Sequence, residues 1–347
     1  MNSQNKNSEL FKIILLSLFL ISAFAIIYKI IPITKKNPIS SSSIINQNPT
    51  PTTQNIINEP NDVNVFTKPP QKKNISINIK NILILGRPGQ GHSGSNLTDT
   101  IILAHLNPNK NKSILISLPR DLIIQAPKTK ELLKINSLYT LTNIETLKSK
   151  IQEITGLTID RYIVFDLNVA ETIINLVDGL NVFVPQDIYD PYFPGPNYTY
   201  DPFSLKAGWR YLDGRNVLRY ARTRYTSPNG DFDRMYRQQQ VIRLLEQKIL
   251  DLNPLWDFPT YIKIFNTLKN NILTDLNISE MNSIWQIAKN SRSENIETIV
   301  IDENQTNLLA GGMIPLGEVN AYVIWPKAGK WNYNDIIKYI QETINKL

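Results

Sequence analysis

Eight of the chain's twelve arginines fall between Arg210 and Arg243, and none of its 25 lysines does. The run reads Leu212-Asp-Gly-Arg-Asn-Val-Leu-Arg-Tyr-Ala-Arg222-Thr-Arg224, then Asp231-Phe-Asp-Arg234-Met-Tyr-Arg237-Gln238-Gln239. Lysine offers a flexible point charge, whereas arginine presents a rigid fork of donors that matches phosphate or carboxylate oxygens in pairs. A lysine-rich chain that turns to arginine in one place points to a pocket for a multiply charged phosphate. Clustered arginines also make solvated helix faces held by i,i+4 ion pairs. Against that reading, Asp213, Asp231 and Asp233 are the only carboxylates in the run, too few to neutralise eight cations.

Arg234 and Gln238 are four apart, so they share a face near the start of a helix predicted over 234–250. Free amide hydrogens and the helix dipole favour anions at that end. Arg222 and Arg224 alternate as on an extended segment, which would point both the same way. Together these groups can surround a pyrophosphate.

Three shorter segments carry further chemistry. Leu97-Thr-Asp99-Thr100 stands where a strand begins, and Asp99 there can ligate Mg²⁺ beside substrate phosphates or simply cap a turn. Ser117-Leu-Pro119-Arg120-Asp121 closes a strand with an Arg–Asp pair, readable as a structural ion pair or as an arginine reaching into a cleft. Lys134-Ile-Asn136 adds a cation and an amide. Gly89-Gln-Gly91-His-Ser-Gly94 has G-x-G-x-x-G spacing after a strand, but a β-rich run follows instead of a helix. No carboxylate stands where a dinucleotide fold needs one. Gly94 is followed by Ser-Asn, which rules out a Walker A loop. The segment reads as a glycine loop between neighbouring strands that can border a site.

The net charge of +7 and the pI near 9.2 favour anionic partners: nucleic acid, anionic lipid or phosphorylated glycan. Absence of cysteine excludes disulfides, thiolate metal sites and cysteine nucleophiles. With His92 and His105 the only histidines, a His-rich metal site is excluded as well.

Several elements must position these groups. Buried strands are predicted at 81–85, 100–105, 113–118, 162–165, 182–184 and 296–301. Helices are predicted at 144–155, 169–177, 214–220, 234–250, 278–289 and 334–346. Strands and helices interleave, which predicts one α/β domain with a mixed β-sheet covered by helices on both faces.

Ahead of that domain, Ile13–Tyr28 is a sixteen-residue run without a charge between Lys12 and Lys29, and apolar character resumes at Ile30. If Lys29 snorkels, residues 12–33 suffice for one transmembrane helix. Ala23-Phe-Ala25 also resembles a signal-peptide cleavage site, so an anchor and a cleaved leader are both readings. Residues 34–75 are rich in Asn, Ser, Pro, Thr and Gln and read as a disordered stalk. The expected layout is therefore a short tail (1–11), an anchor (12–33), the stalk (34–75) and the folded domain (76–347).

In order along the chain, several motifs together resemble the LytR-CpsA-Psr family of bacterial cell-envelope proteins. They are Leu97-Thr-Asp99-Thr-Ile-Ile, Ser117-Leu-Pro-Arg120-Asp121, Lys134-Ile-Asn136, Leu176-Val-Asp178, Leu218-Arg-Tyr220-Ala-Arg222-Thr-Arg224 and Asp231-Phe-Asp-Arg234-Met-Tyr-Arg-Gln238-Gln239. The resemblance runs from about residue 81 to 241 and implies a single-pass membrane protein with its N-terminus inside the cell and its domain outside. It implies transfer of a glycopolymer, such as teichoic acid or capsular polysaccharide, from a polyprenyl-pyrophosphate carrier onto a peptidoglycan acceptor. It assigns the pyrophosphate to Arg120, Lys134, Arg222, Arg224 and Arg234, with Gln238 beside them. It makes Asp99 a Mg²⁺ ligand and the base for the attacking hydroxyl, and places Asp99, Arg120 and Arg222 in catalysis. Phosphoryl transfer needs mainly positioning and charge neutralisation, which arginines and Mg²⁺ supply. The lipid tail would need an apolar slot, with Val169–Val177 as its expected wall.

Two departures stand out. Family members carry an Asp shortly after the glycine that ends the first strand, sharing the metal with the second Asp; here Gly86 is followed by Arg87-Pro88. The Asp-x-Leu-Gly-Gly-Val signature is shortened to Asp178-Gly-Leu-Asn-Val182. The first departure leaves open a non-catalytic module that binds polyprenyl-phosphate lipid or anionic polymer. Water in place of the acceptor hydroxyl would make a lipid pyrophosphatase. No DNA-binding motif is present, and nucleic acid is not an expected partner.

Overall fold

The computed structural model describes residues 79–346, apart from 90–95, 111, 128, 196–198, 226 and 291–294. The expected tail, anchor and stalk lie outside the described residues, as do His92 and Ser93 of the glycine loop. Among the described residues no helix is long and apolar enough to cross a membrane.

The chain begins with three strands, β1 (Asn81–Arg87), β2 (Thr100–Asn107) and β3 (Lys112–Ser117), then a short hairpin of β4 (Ile123–Gln125) and β5 (Leu132–Lys134). Helices α1 (Ile135–Leu141) and α2 (Ile144–Thr155) lead to β6 (Arg161–Asp166) and α3 (Leu167–Leu176). Next come β7 (Leu180–Val184), β8 (Ile188–Asp190), β9 (Phe203–Leu205), β10 (Gly208–Leu212), α4 (Gly214–Arg222) and the long α5 (Asp231–Leu250). The remainder is α6 (Phe258–Asn271), β11 (Ile272–Thr274), α7 (Ile278–Asn290), β12 (Ile296–Val300), the hairpin β13 (Leu309–Leu316) and β14 (Val319–Pro326), and α8 (Asn334–Lys346).

Six strands form the central sheet in the order β11-β6-β1-β2-β3-β12. The β1–β6 and β3–β12 pairs are parallel, and the other three are antiparallel, so the sheet is mixed as expected. Alternation along β1 sends Leu83 and Leu85 into one apolar cluster and Ile82 and Ile84 into another. The first cluster packs against α1, α2 and α8 through Leu138, Leu147, Ile151 and Ile340; the second meets Ile242 of α5 and Ile287 of α7. Because both faces are buried, the strands read as continuous apolar runs rather than alternating ones. Each fully buried Leu or Ile contributes about 1.5–3 kcal/mol, so these clusters hold the sheet rigid beneath the site.

The shortened Asp178–Val182 signature forms the turn from α3 into β7. Asp178 and Gly179 both lie at positive φ (59° and 66°), and Gly179 N–H donates to the Ile174 carbonyl at 2.9 Å. A Cβ on Gly179 would come 2.7 Å from the Leu212 carbonyl oxygen. The face expected to wall a lipid slot is already covered: Val169, Ile173 and Val177 pack with Ile264 and Leu268 of α6. Helix α6 was not expected from the sequence, and neither was the β13–β14 hairpin.

Candidate functional site: a guanidinium cluster around Asp99

β2 and β3 run antiparallel, so the residue before β2 and the segment after β3 lie at the same end of the sheet. Asp99 and Arg120 meet there, with Arg120 Nη1 donating to Asp99 Oδ1 at 2.7 Å. The first turn of α5 reaches the same place. Arg234 Nη2 donates to the Asp99 carbonyl oxygen at 3.1 Å and to Asp231 Oδ2 at 2.9 Å. Asp231 Oδ1 lies 3.5 Å from Arg120 Nε, and Asp121 Oδ2 lies 3.8 Å from the same nitrogen. Lys134 Nζ holds the other oxygen of Asp121 at 2.6 Å. The Arg120–Asp121 sequence pair is therefore not a simple ion pair: Arg120 is bonded to Asp99, and Asp121 to Lys134.

Arg222 arrives from a different direction. Asp213 caps α4, accepting from Asn216 N–H at 2.9 Å. At the helix start, a Cβ on Gly214 would stand 2.3 Å from the Glu171 carbonyl oxygen, so only glycine lets α4 approach α3 this closely. That packing sets where the C-terminal end of α4, and Arg222 with it, lies. The expectation that Arg222 and Arg224 alternate on an extended segment is corrected here. Arg222 is the last residue of α4, and the helix ends at Thr223, whose Oγ1 donates to the buried Asp190 Oδ2 at 2.6 Å. Arg222 is half-buried and Arg224 exposed, and among the described residues neither guanidinium donates a hydrogen bond to the protein. The Arg222 guanidinium lies 5.6 Å from the Phe193 ring centre. Gln238 is half-buried one turn beyond Arg234, and its side chain makes no hydrogen bond among the described residues.

The electrostatics show a site short of anions. Arg234 is only 4% exposed. Burial, with Arg120 and Arg224 nearby, pulls its pKa down to about 10 in spite of Asp231 and Asp99. Burial likewise lowers Arg222 against the pull of Asp99. Burial acts on Arg120 in the same sense, but Asp231, Asp99 and Asp121 together outweigh it and hold that guanidinium above its ordinary value. Arg120 Nε, Asp231 Oδ1 and Arg234 Nε are buried polar atoms without a hydrogen-bond partner. Such groups are uncommon in folded proteins, and two of these three, Arg120 Nε and Asp231 Oδ1, face each other as an ion pair at 3.5 Å. The start of α5 is not itself an open anion site, because Asp231 and Asp233 already occupy its first turn.

Half of the arginine run belongs to the framework. Arg210 donates to the Lys206 and Ala207 carbonyls, and Arg215 and Arg219 pair with Asp201 from outside the run. Arg219 also lies over the Phe203 ring at 4.8 Å. Arg237 donates to Ser227 Oγ and to the Thr223 carbonyl, holding the segment that carries Arg224. On another side of α5, a cavity of about 470 Å³ is lined by Tyr220, Tyr236, Arg237, Gln240 and Arg243. None of the expected phosphate-holding residues lines it.

A divalent cation fits these residues poorly. Asp99 is the one expected ligand, and its Oδ1 already accepts from Arg120. Among the described residues no three acidic or histidine side chains come together as a metal-binding group. The sequence reading missed Asp231, whose i,i+3 spacing to Arg234 was its only local signal, and the Arg87–Asp166 pair at the end of β1.

Fold and site together define a class: a mixed α/β domain with a cluster of guanidinium groups around Asp99 at one end of its central sheet. The chain belongs to the LytR_cpsA_psr family, whose model matches residues 46–322. It is 30% identical over 201 residues to the polyisoprenyl-teichoic acid–peptidoglycan teichoic acid transferase TagU of Enterococcus faecalis, covering 57% of this chain and 60% of that protein. It is 26% identical over 250 residues to the transferase TagV of Bacillus subtilis, covering 72% of this chain and 60% of that protein. The chain thus spans about three fifths of the length of these relatives. The crystal structure of B. subtilis TagV matches with a TM-score of 0.58 at 25% identity, over 77% of this chain and 97% of that one.

Proposed function

We propose that the chain transfers an anionic or capsular glycopolymer, such as a teichoic acid, from a polyprenyl-pyrophosphate carrier to peptidoglycan. In this reading the protein is anchored in the membrane by residues 12–33 and works on the outer side. The observation that carries it is the pair of guanidinium groups at Arg222 and Arg224 without protein acceptors among the described residues, beside the buried Arg234 that Asp231 pairs. A pyrophosphate diester supplies the oxygens those donors lack. The TagU and TagV relatives are named for transfer from a polyisoprenyl-linked teichoic acid to peptidoglycan, which supports the same chemistry here.

An acceptor hydroxyl attacks the phosphorus that carries the glycan. The P–O bond to the bridging oxygen breaks, polyprenyl monophosphate leaves, and a phosphodiester joins glycan to acceptor. Arg120, Arg222, Arg224 and Arg234 stabilise charge on the phosphoryl oxygens, the main requirement of phosphoryl transfer. Asp99 takes the hydroxyl proton on Oδ2, because Oδ1 is held by Arg120.

The test incubates the full chain with a polyprenyl-pyrophosphate-linked glycan and peptidoglycan sacculi. Polyprenyl monophosphate released in step with glycan attached to sacculi is the expected result. Release without attachment would make the protein a pyrophosphatase, and binding without release a binding module.

A further inference from the structure

Four neighbouring strands of the central sheet end in a row of charges. Leu85, Ile101, Val164 and Leu118 pack in the same apolar cluster on one face. Side chains alternate along a strand, so the residue two positions on projects from that face too. Those residues are Arg87 at the end of β1, Asp99 before β2 and Asp166 at the end of β6, and Arg120, in the turn beyond β3, joins them through its hydrogen bond to Asp99. Read across β6-β1-β2-β3, the row is Asp166, Arg87, Asp99, Arg120, with alternating sign. Arg87 Nε and Nη2 reach Asp166 Oδ1 at 2.9 and 2.8 Å, and Arg120 Nη1 reaches Asp99 Oδ1 at 2.7 Å. The last ladder pair between β1 and β2 is Gly86 with Thr100, and one step beyond it stand Arg87 and Asp99.

Mg²⁺ is held by one or two carboxylates together with substrate phosphates and water. Between Arg87 and Thr98 the chain contains no Asp or Glu, so no second carboxylate from that segment stands beside Asp99. Asp166 is claimed by Arg87, and a dication next to Asp99 would meet Arg120 on one side. The charges close without one. Around the site, Asp99, Asp121, Asp166 and Asp231 are matched by Arg87, Arg120, Lys134 and Arg234. Arg222 and Arg224 then add two positive charges without protein acceptors among the described residues, equal and opposite to the two negative charges of a pyrophosphate diester.

We propose that this chain binds and neutralises its pyrophosphate diester with protein cations alone, Arg87 placing a cation beside Asp99 at the end of the neighbouring strand. The proposal rests on the transferase reading above for its ligand, but its metal claim is separable. The full chain is first titrated with Mn²⁺ alone, following free Mn²⁺ by electron paramagnetic resonance. No loss of the free-ion signal is expected for wild type, and Arg87→Asp, which places a carboxylate beside Asp99 and frees Asp166, is expected to take up Mn²⁺. Mn²⁺ uptake by wild type, or none by a folded Arg87→Asp, overturns the proposal. Affinity for geranyl-pyrophosphoryl-N-acetylglucosamine is then measured in EDTA and in Mg²⁺ by calorimetry. The two values are expected to agree within about threefold, under one factor-of-ten step of 1.4 kcal/mol. A tenfold or greater loss in EDTA also overturns it. Failure to bind the analogue in either buffer would instead refute the transferase reading, leaving the Mn²⁺ titration to decide the metal claim.

Discussion

Replacing Arg222 with alanine separates binding from folding. Its guanidinium makes no hydrogen bond to the protein among the described residues, so no ion pair is broken when it is removed. The losses are its contact with the Phe193 ring, worth about 0.5–1 kcal/mol, and a cation in the last turn of α4, worth about 0.3–1 kcal/mol. Relief of the burial that lowers its pKa offsets part of these. A net cost below about 2 kcal/mol shifts the Tm of a domain this size by roughly 4 °C at most. A phosphate oxygen, by contrast, loses a charge-assisted hydrogen bond worth about 1.5–3 kcal/mol, which is a roughly 10- to 150-fold weaker Kd. Scanning calorimetry reads the first quantity, and titration with geranyl-pyrophosphoryl-N-acetylglucosamine reads the second. Arg222→Lys keeps the charge but not the fork, and should fall between wild type and Arg222→Ala. An unchanged Kd in Arg222→Ala, or a Tm drop beyond about 10 °C, would refute the placement of this guanidinium as a ligand-facing donor.

Arg120→Ala should behave in the opposite way: it removes the cation paired with Asp99 and the one Asp121 and Asp231 share, at a cost of about 3–5 kcal/mol read from urea denaturation. Gln239→Leu should cost about 2–4 kcal/mol in the same assay, because the buried amide Nε2 donates to the Leu115 and Ile299 carbonyls and to Ser117 Oγ, tying β3 to β12. Glu246 is pushed up to about 7 from 4.5 by burial. The unfolded chain therefore releases this proton before the folded one does, and stability should fall as pH rises from about 4.5 to about 7, then level off. Partial solvent access makes that slope smaller than full burial would. Glu246→Gln should flatten it, and an unchanged slope would mean that Glu246 is already ionised at pH 5.

Much of the central sheet was legible because strands buried on both faces appear as uninterrupted apolar runs, as at 81–85 and 113–118. Helix α6 was not, since Ile264 is its one buried residue and Lys263, Asn266, Lys269 and Asn270 face solvent between partly buried apolar side chains. The β13–β14 hairpin was hidden by Gly311, Gly312 and Pro315, which weaken a strand pattern that the structure nevertheless pairs. The arginine run was conspicuous, but spacing does not say which members face a ligand. Arg219 and Arg237 are consumed by Asp201, Ser227 and backbone carbonyls, whose proximity is created only by the fold. Arg222 followed by Thr-Arg looked extended because the helix ends on its own last arginine. Asp231 belonged to the site all along, but as an acid among arginines it read as a counterion rather than as part of the network around Arg120.

The most direct test is a crystal structure of the chain bound to geranyl-pyrophosphoryl-N-acetylglucosamine. The account predicts phosphoryl oxygens within about 3 Å of Arg222, Arg224 and Arg234 nitrogens, with Asp99 facing the glycan-bearing phosphorus. A pyrophosphate seated in the cavity beside Arg237, Gln240 and Arg243, with Arg222 and Arg224 left in solvent, would contradict it.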